Sequence, residues 1–256
     1  MSESEWLACA DPQPMLEFLR GKASDRKSRL FACACCRRIR HVLCDARCRR
    51  AAEAVEVAES FADGLAPEAA LAAAREAARG VFTAHFGTLW LAWGGEAAAM
   101  AAAADIRAKR TWHGRLSEGG GVGEAADAAA KAVAGYAADG PHAEGLPKAV
   151  VEGTWQAVQA SERQHQARAV HCIFGNPFRP ASVPAACRAP QVVALARGAY
   201  DDRLLLTGTL DPARLAVLAD ALEEAGCDQA DILNHLRGPG PHVRGCWAVD
   251  LLLGKS

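Results

Sequence analysis

The sequence predicts an all-α protein, a single irregular domain of about eight to ten helices over residues 1–256. Three observations support this fold class. Alanine, the best helix former, supplies 58 of the 256 residues. Signals that start and stop helices recur along the chain. Strand signals are weak throughout, and residues 204–206 are too few to predict a strand.

The first 64 residues contain signals for three helices. Asp11 followed by Pro12 starts the first helix, and Ser24 and Asp45 are suited to cap the second and third. The second helix carries an apolar stripe made of Phe31, Cys35, Ile39 and Val42. Gly64 ends the third helix. The short break near residue 44 predicts an antiparallel helical hairpin.

The middle of the chain, residues 64–150, is rich in alanine and glycine. It contains helical patterns over 67–86, 96–110 and 124–138. Five glycines within 114–123 predict a flexible loop. Because alanine buries little apolar area, we expect this middle to be a peripheral elaboration.

The last third of the chain predicts further helices over 147–171, 191–200, 211–225, 228–236 and 242–253. Asp211 and Asp228 are suited to cap the third and fourth of these, and Gly254 ends the last. Two proline-containing segments, 175–180 and 238–241, interrupt them as rigid turns. Tryptophans anchor a core that is poor in large side chains, so Trp6 and Trp247 are expected to be mostly buried. We therefore predict that the N-terminal hairpin packs on the C-terminal helices.

Composition and charge limit the classes of partner. The formal net charge is −1, and no apolar run approaches the roughly 20 residues of a membrane span, so we expect no membrane partner. The N-terminal residues are acidic and are not followed by the apolar core of a signal peptide. The ten cysteines are therefore interpreted as reduced thiols of a cytoplasmic protein.

Several motifs resemble one known family. They are EWL at 5–7, DP at 11–12, ML at 15–16, GNPFRP at 175–180 and GPGPHVRGCW at 238–247. Together they resemble an uncharacterised protein family that is abundant in planctomycete bacteria, over about residues 5–63 and 168–255. The family has no assigned activity, so the resemblance implies a shared domain and no particular chemistry.

A basic segment covers residues 20–50. It holds eleven Lys or Arg against two Asp, a net +9, which leaves −10 for the rest of the chain. Such asymmetry is typical of a nucleic-acid footprint, in which Arg37 and Arg38 would contact phosphates. The alternative is a solvated face, or docking on acidic helices of the same protein such as residues 211–231, and this structural interpretation is favoured.

Two groups of residues carry the donors of a metal or thiol site. One is the cluster of Cys33, Cys36, Cys44 and Cys48. Zinc requires four sulfurs about 2.3 Å from the metal, whereas the predicted hairpin separates these two pairs along its axis. The other group is His242, Cys246 and Asp250, spaced by four residues along the predicted last helix. A cysteine beside a histidine and an acid is the pattern of a thiol nucleophile.

Metal binding at Cys227, His235, His242 and Cys246 is a further alternative, but the gaps between these residues match no common zinc pattern. We predict no bound metal and no cofactor. The rigid segments could also bind a ligand through Arg179 and Arg244. The sequence favours a non-enzymatic helical interaction or scaffold module with an unknown protein partner. Nucleic-acid or polyanion binding through residues 20–50 is the alternative, and a thiol enzyme using Cys246 and His242 comes third.

Overall fold

In the computed structural model, the described residues are 1–84, 97–98, 101, 110–112, 115–117, 121–139, 148–204 and 207–255. The chain divides into two compact units. Met1–Ala8 and Arg168–Ser256 form one, called the terminal unit, and Cys9–Ala167 form the other, called the central unit. The all-α class is confirmed: the described ranges contain twelve α-helices, and ten of them have seven residues or more.

The elements run in chain order as follows. The helices are α1 Glu3–Ala8, α2 Pro12–Leu19, α3 Asp25–Arg38, α4 Arg40–Leu43, α5 Arg49–Ala62, α6 Glu68–Ala84, α7 Gly121–Asp139, α8 Lys148–Phe174, α9 Pro190–Asp201, α10 Pro212–Glu224, α11 Ala230–Arg237 and α12 Trp247–Leu253. Two short 3-10 helices, Ala46–Cys48 and Ala185–Arg188, precede α5 and α9. One antiparallel pair of strands joins β1 Arg110–Trp112 to β2 Arg115–Ser117.

The helix starts follow the predicted capping residues in three places. The side chains of Asp11, Ser24 and Asp211 accept hydrogen bonds from backbone N–H groups in the first turns of α2, α3 and α10. Two predicted caps differ. Asp45 caps the 3-10 turn before α5, and Asp228 caps nothing, because Gln229 is the N-cap of α11 and makes no side-chain capping bond.

The core of the central unit is built around α3. Its predicted apolar stripe is buried, and α3 packs against α5 and α7. Many of the buried residues here are alanines, which allow helices to approach closely. Residues 115–117 form β2 and residues 121–123 start α7. The flexibility predicted for 114–123 stays a prediction, and residues 85–96 lie outside the described part.

The core of the terminal unit is formed where α9 packs against α10 and α12. Its buried side chains include Val192, Tyr200, Leu215, Leu218, Val249 and Leu252. Trp6 is fully buried, as expected, whereas Trp247 is only half-buried. Residues 12–62 belong to the central unit and residues 211–253 to the terminal unit, so the predicted packing of one on the other stays a prediction.

The predicted last helix, 242–253, is too long at its start. The helix begins at Trp247, and residues 242–246 are irregular. Val243 forms a β-bridge with Thr209, and Gly240 and Gly245 have φ of +77° and +87°. These long-range and left-handed features hold the backbone away from helical geometry. Within the described ranges, no helix combines the length and apolarity needed to cross a bilayer.

Candidate metal centre

Four side chains of the terminal unit converge on one point. They are Cys172, His235, His242 and Cys246, and one ligand atom of each lies within 4.8 Å of every other. Cys172, His242 and Cys246 are buried, and His235 is half-buried. Two sulfurs and two imidazole nitrogens thus face each other in a site that is largely closed to water.

Three parts of the fold supply these ligands. Cys172 lies in the last turn of α8, and His235 lies in the last turn of α11. His242 lies in the irregular segment after α11, and Cys246 is the N-cap of α12. The bridge between Thr209 and Val243 fixes the backbone between these last two ligands. The site therefore depends on a turn and two helix ends rather than on a single helix.

Hydrogen bonds orient the ligand atoms. His235 Nε2 lies 3.2 Å from Cys246 Sγ, and the Val243 N–H donates to Cys172 Sγ at 3.4 Å. His242 Nε2 lies 3.0 Å from the carbonyl oxygen of Gly238, and since a carbonyl can only accept, Nε2 carries the proton. His242 Nδ1 is buried and makes no hydrogen bond in the described structure. In the neutral imidazole, this bond leaves the lone pair on Nδ1, which is then the nitrogen that can bind a metal.

The same contacts set the protonation of the centre. Burial opposes ionisation of Cys246. A hydrogen bond with Cys172 and the close approach of the His235 and His242 imidazoles outweigh burial and hold the pKa of this thiol well below its usual range. Burial lowers the pKa of His242, but its interactions with Cys246 and Gly238 outweigh burial and raise that pKa. A lowered pKa favours loss of the Cys246 proton, and the deprotonated sulfur is the form that metals and electrophiles bind.

No protein-family model, curated protein or solved structure matches the chain. The chemistry of the four side chains is therefore the basis for interpreting the site. Two thiolates and two imidazoles are a common ligand set for Zn²⁺. With metal distances of about 2.3 Å to sulfur and 2.0–2.1 Å to nitrogen, a tetrahedron has edges of about 3.3–3.8 Å. Atoms that all lie within 4.8 Å of one another fit one metal ion after a small contraction.

Three of these four ligands belong to a group that the sequence offers as metal ligands, and the fourth does not. His235, His242 and Cys246 were considered together with Cys227, but the fourth side chain is Cys172, and Cys227 is buried outside the cluster. The only local signal for Cys172 was its position just before the GNPFRP motif. Its approach to ligands that lie 63 to 74 positions later in the chain is a property of the tertiary fold.

Of the predicted nucleophile group of His242, Cys246 and Asp250, the structure brings two members together, and it does so without placing them on one helix. His242 and Cys246 do converge, but through an irregular segment and not on one helical face. Asp250 is buried in α12 and does not belong to the four-residue cluster. Its backbone N–H donates to the Cys246 carbonyl at 2.8 Å, which is the first helical bond of α12. The predicted row of histidine, cysteine and acid on one helix face is therefore wrong.

The N-terminal cysteines are not brought together as a ligand group in the part of the chain that the structure describes. Cys33, Cys36 and Cys48 are buried, whereas Cys44 is exposed. The Cys33 thiol donates to the Val55 carbonyl oxygen at 3.9 Å. Burial raises the pKa of Cys36 to about 12. These buried thiols are therefore protonated and packed like small apolar side chains.

The two basic-segment arginines proposed as binding residues form ion pairs inside the central unit. Arg37 donates to Glu59 at 2.8 Å, and Arg38 donates to Glu162 at 2.8 Å. Both acids are almost fully buried. Intramolecular pairing of the basic segment was predicted, but these partners lie outside residues 211–231.

The other two candidate binding arginines have partners within the terminal unit. Arg179 Nε lies 2.7 Å from a carboxylate oxygen of Glu3. The Arg244 guanidinium lies 5.1 Å from the ring centroid of Tyr200. In the acidic segment, Asp220 and Glu223 both pair with Arg237. A binding role for any of the four arginines stays a prediction.

Proposed function

We propose that this protein binds one Zn²⁺ ion through Cys172, His235, His242 and Cys246, and that the ion stabilises the terminal unit of a non-enzymatic helical module. The observation that carries the proposal is the convergence of four ligand atoms, all within 4.8 Å of one another. This assignment replaces our sequence-based expectation of a protein without a metal.

The donor set favours zinc over the other abundant divalent ions. Mg²⁺ and Ca²⁺ prefer oxygen ligands, and the centre offers two sulfurs and two nitrogens. His242 Nδ1 has no hydrogen bond, and a buried nitrogen without a partner is costly unless it binds something. A metal ion would satisfy this atom and would also bind the sulfur of Cys246.

A structural role suits the site better than a catalytic one. Catalytic zinc keeps one coordination position for water or substrate, whereas four protein ligands fill a tetrahedral ion. A thiol enzyme would need Cys246 to reach a substrate, and this side chain is fully buried. The ion would link the ends of α8 and α11 to the start of α12.

The experiment is elemental analysis of protein purified without added metal, combined with three single variants. We expect about one zinc per chain in the wild-type protein and a loss of tight zinc binding in Cys172→Ser and Cys246→Ser. Cys227→Ser is the matched control, because Cys227 is a buried thiol of the same unit outside the cluster. Zinc retained by Cys172→Ser, or lost equally by Cys227→Ser, would contradict the assignment.

A further inference from the structure

The N-terminal helix α1 attaches to the terminal unit through the segment that carries the first ligand. Trp6 is fully buried, and its Nε1–H donates to the Gly175 carbonyl oxygen at 3.1 Å. Its ring packs edge-on against His171, with ring centroids 5.4 Å apart. Both partners lie within three residues of Cys172. The main anchor of α1 therefore rests on the immediate neighbours of a proposed zinc ligand.

The start of α1 is held by the same segment. Glu3 accepts hydrogen bonds from Asn176 Nδ2 at 2.7 Å and from Arg179 Nη2 at 3.3 Å. The Arg179 guanidinium also brings Nε within 2.7 Å of this carboxylate. Glu3 and Trp6 thus both contact one short stretch of the chain, residues 171–179.

A second part of the proposed centre supports this stretch from another direction. A Cβ added at Gly175 would lie 3.1–3.3 Å from the ring of Trp247, so that ring packs directly on the Gly175 backbone. Trp247 follows Cys246 in sequence, and its ring centroid is 5.2 Å from that of His235. Gly175 therefore contacts two tryptophans, one from α1 and one adjacent to the proposed metal ligands.

Part of the region that contacts α1, and part of the proposed metal centre, has no regular structure. Residues 175–180 and 238–246 contain no α-helix, so no helical hydrogen bonds hold them in place. By contrast, α9, α10 and α12 share an apolar core that includes Val192, Leu215, Leu218, Val249 and Leu252. Removing a metal should therefore loosen the irregular segments before it unfolds the helical core.

We infer that residues 171–179 and Trp247 form a zinc-dependent docking surface for an acidic helix anchored by a tryptophan, and that residues 3–8 of this chain are its occupant. The inference rests on the proposed zinc centre. With zinc bound, the surface holds α1. With zinc removed, Trp6 and Glu3 lose the fixed positions of their partners, and α1 is released.

Amide hydrogen exchange of the full-length chain tests this inference, with the zinc content measured in the same samples. Comparing the zinc-loaded and chelated proteins, we expect exchange to become at least about tenfold faster in residues 3–8 and 171–180. Residues 192–200 and 215–222, inside α9 and α10, should keep most of their protection. This internal comparison separates release of α1 from unfolding of the whole unit.

Trp6→Phe provides the matched variant, because it keeps an aromatic ring and removes the N–H donated to Gly175. We expect it to bind zinc normally and to exchange faster in residues 3–8. If chelation removes zinc but leaves residues 3–8 unchanged, or exposes α9 and α10 equally, the inference is overturned while the zinc assignment stands. A wild-type chain that binds no zinc overturns both.

Discussion

Arg38 Nε donates to both carboxylate oxygens of Glu162, at 2.8 and 2.9 Å, and the Glu162 side chain is only 3% exposed. The pair joins α3 to α8 inside the central unit. A buried carboxylate loses its hydration on folding and depends on its partner for compensation. Arg38 is therefore a structural residue of this unit, whatever else it binds.

Replacing Arg38 by alanine should destabilise the central unit by about 3 kcal/mol, because it leaves the Glu162 carboxylate buried without its cation. Urea unfolding followed by circular dichroism measures the loss. Arg49→Ala is the control from the same basic segment. Its pair with Glu53 is exposed on both sides, so the change should stay below about 0.5 kcal/mol. Equal losses in the two variants would contradict this ranking.

Gly240→Ala should weaken zinc binding by about 10- to 100-fold, the effect typical of losing support for a ligand. Gly240 has φ of +77°, and a Cβ there would lie 2.8 Å from the His242 backbone nitrogen and 3.1 Å from its ring. The methyl group would displace His242 from the cluster. Competition with a chromophoric chelator measures the affinity.

Gly226→Ala controls for backbone strain in the preceding prediction. Its φ of +81° is similar, and nothing lies within 4 Å of the added Cβ. Strain alone should cost about 1–2 kcal/mol of stability and leave zinc affinity unchanged. If both variants lost zinc affinity to the same extent, the contact with His242 would not be the cause.

Stability of the central unit should fall at alkaline pH. Burial raises the pKa of the Cys33 and Cys35 thiols well above the usual value of about 9, and raises that of Cys36 to about 12. At a pH between the usual pKa of a thiol and its raised pKa in the folded protein, the unfolded chain has lost a proton that the folded chain retains. The free energy of unfolding therefore decreases as the pH rises through this range. Each such thiol contributes up to about 1.4 kcal/mol per pH unit.

The measurement is the urea midpoint from pH 8 to 10.5. Cys36→Ala should reduce the pH dependence, because one buried thiol is removed. An unchanged slope in Cys36→Ala would show that other groups cause the alkaline destabilisation.

Trp247→Ala should destabilise the terminal unit by about 3 kcal/mol, the lower end for loss of a large buried ring, because this side chain is only half-buried. The ring fills the space between Gly175 and His235, so both the packing and the proposed centre lose support. Differential scanning calorimetry of the zinc-loaded protein measures the change. A loss below about 1 kcal/mol would show that neighbouring groups collapse into the space.

Local signals predicted the helices of this protein well, because a cap or a stop acts on its own turn. Asp11, Ser24 and Asp211 accept the expected backbone hydrogen bonds, and Gly254 closes α12 with φ of +67°. The start of the last helix could not be predicted this way. Residues 242–246, which the sequence predicts as the first five residues of this helix, are irregular. They are held partly by the bridge from Val243 to Thr209, more than thirty positions earlier.

The candidate site could be predicted only in part, because one of its ligands is brought in by a long-range contact. His235, His242 and Cys246 are close in sequence and could be considered together. Cys172 joins them only because α8 ends beside the turn after α11. The partners of Arg37 and Arg38 likewise depend on the tertiary fold, which brings Glu59 and Glu162 to them. From the sequence, the acidic residues within 211–231 were the more obvious partners.

The hydrogen bond from Trp6 to Gly175 spans 169 positions of the chain. Because synthesis proceeds from the N-terminus at about 5–20 residues per second, Trp6 leaves the ribosome roughly 10–30 seconds before its acceptor exists. All of the central unit is made in that interval, and the last proposed metal ligand follows later still. During translation, Trp6 therefore lacks this acceptor until after the whole central unit has been synthesised.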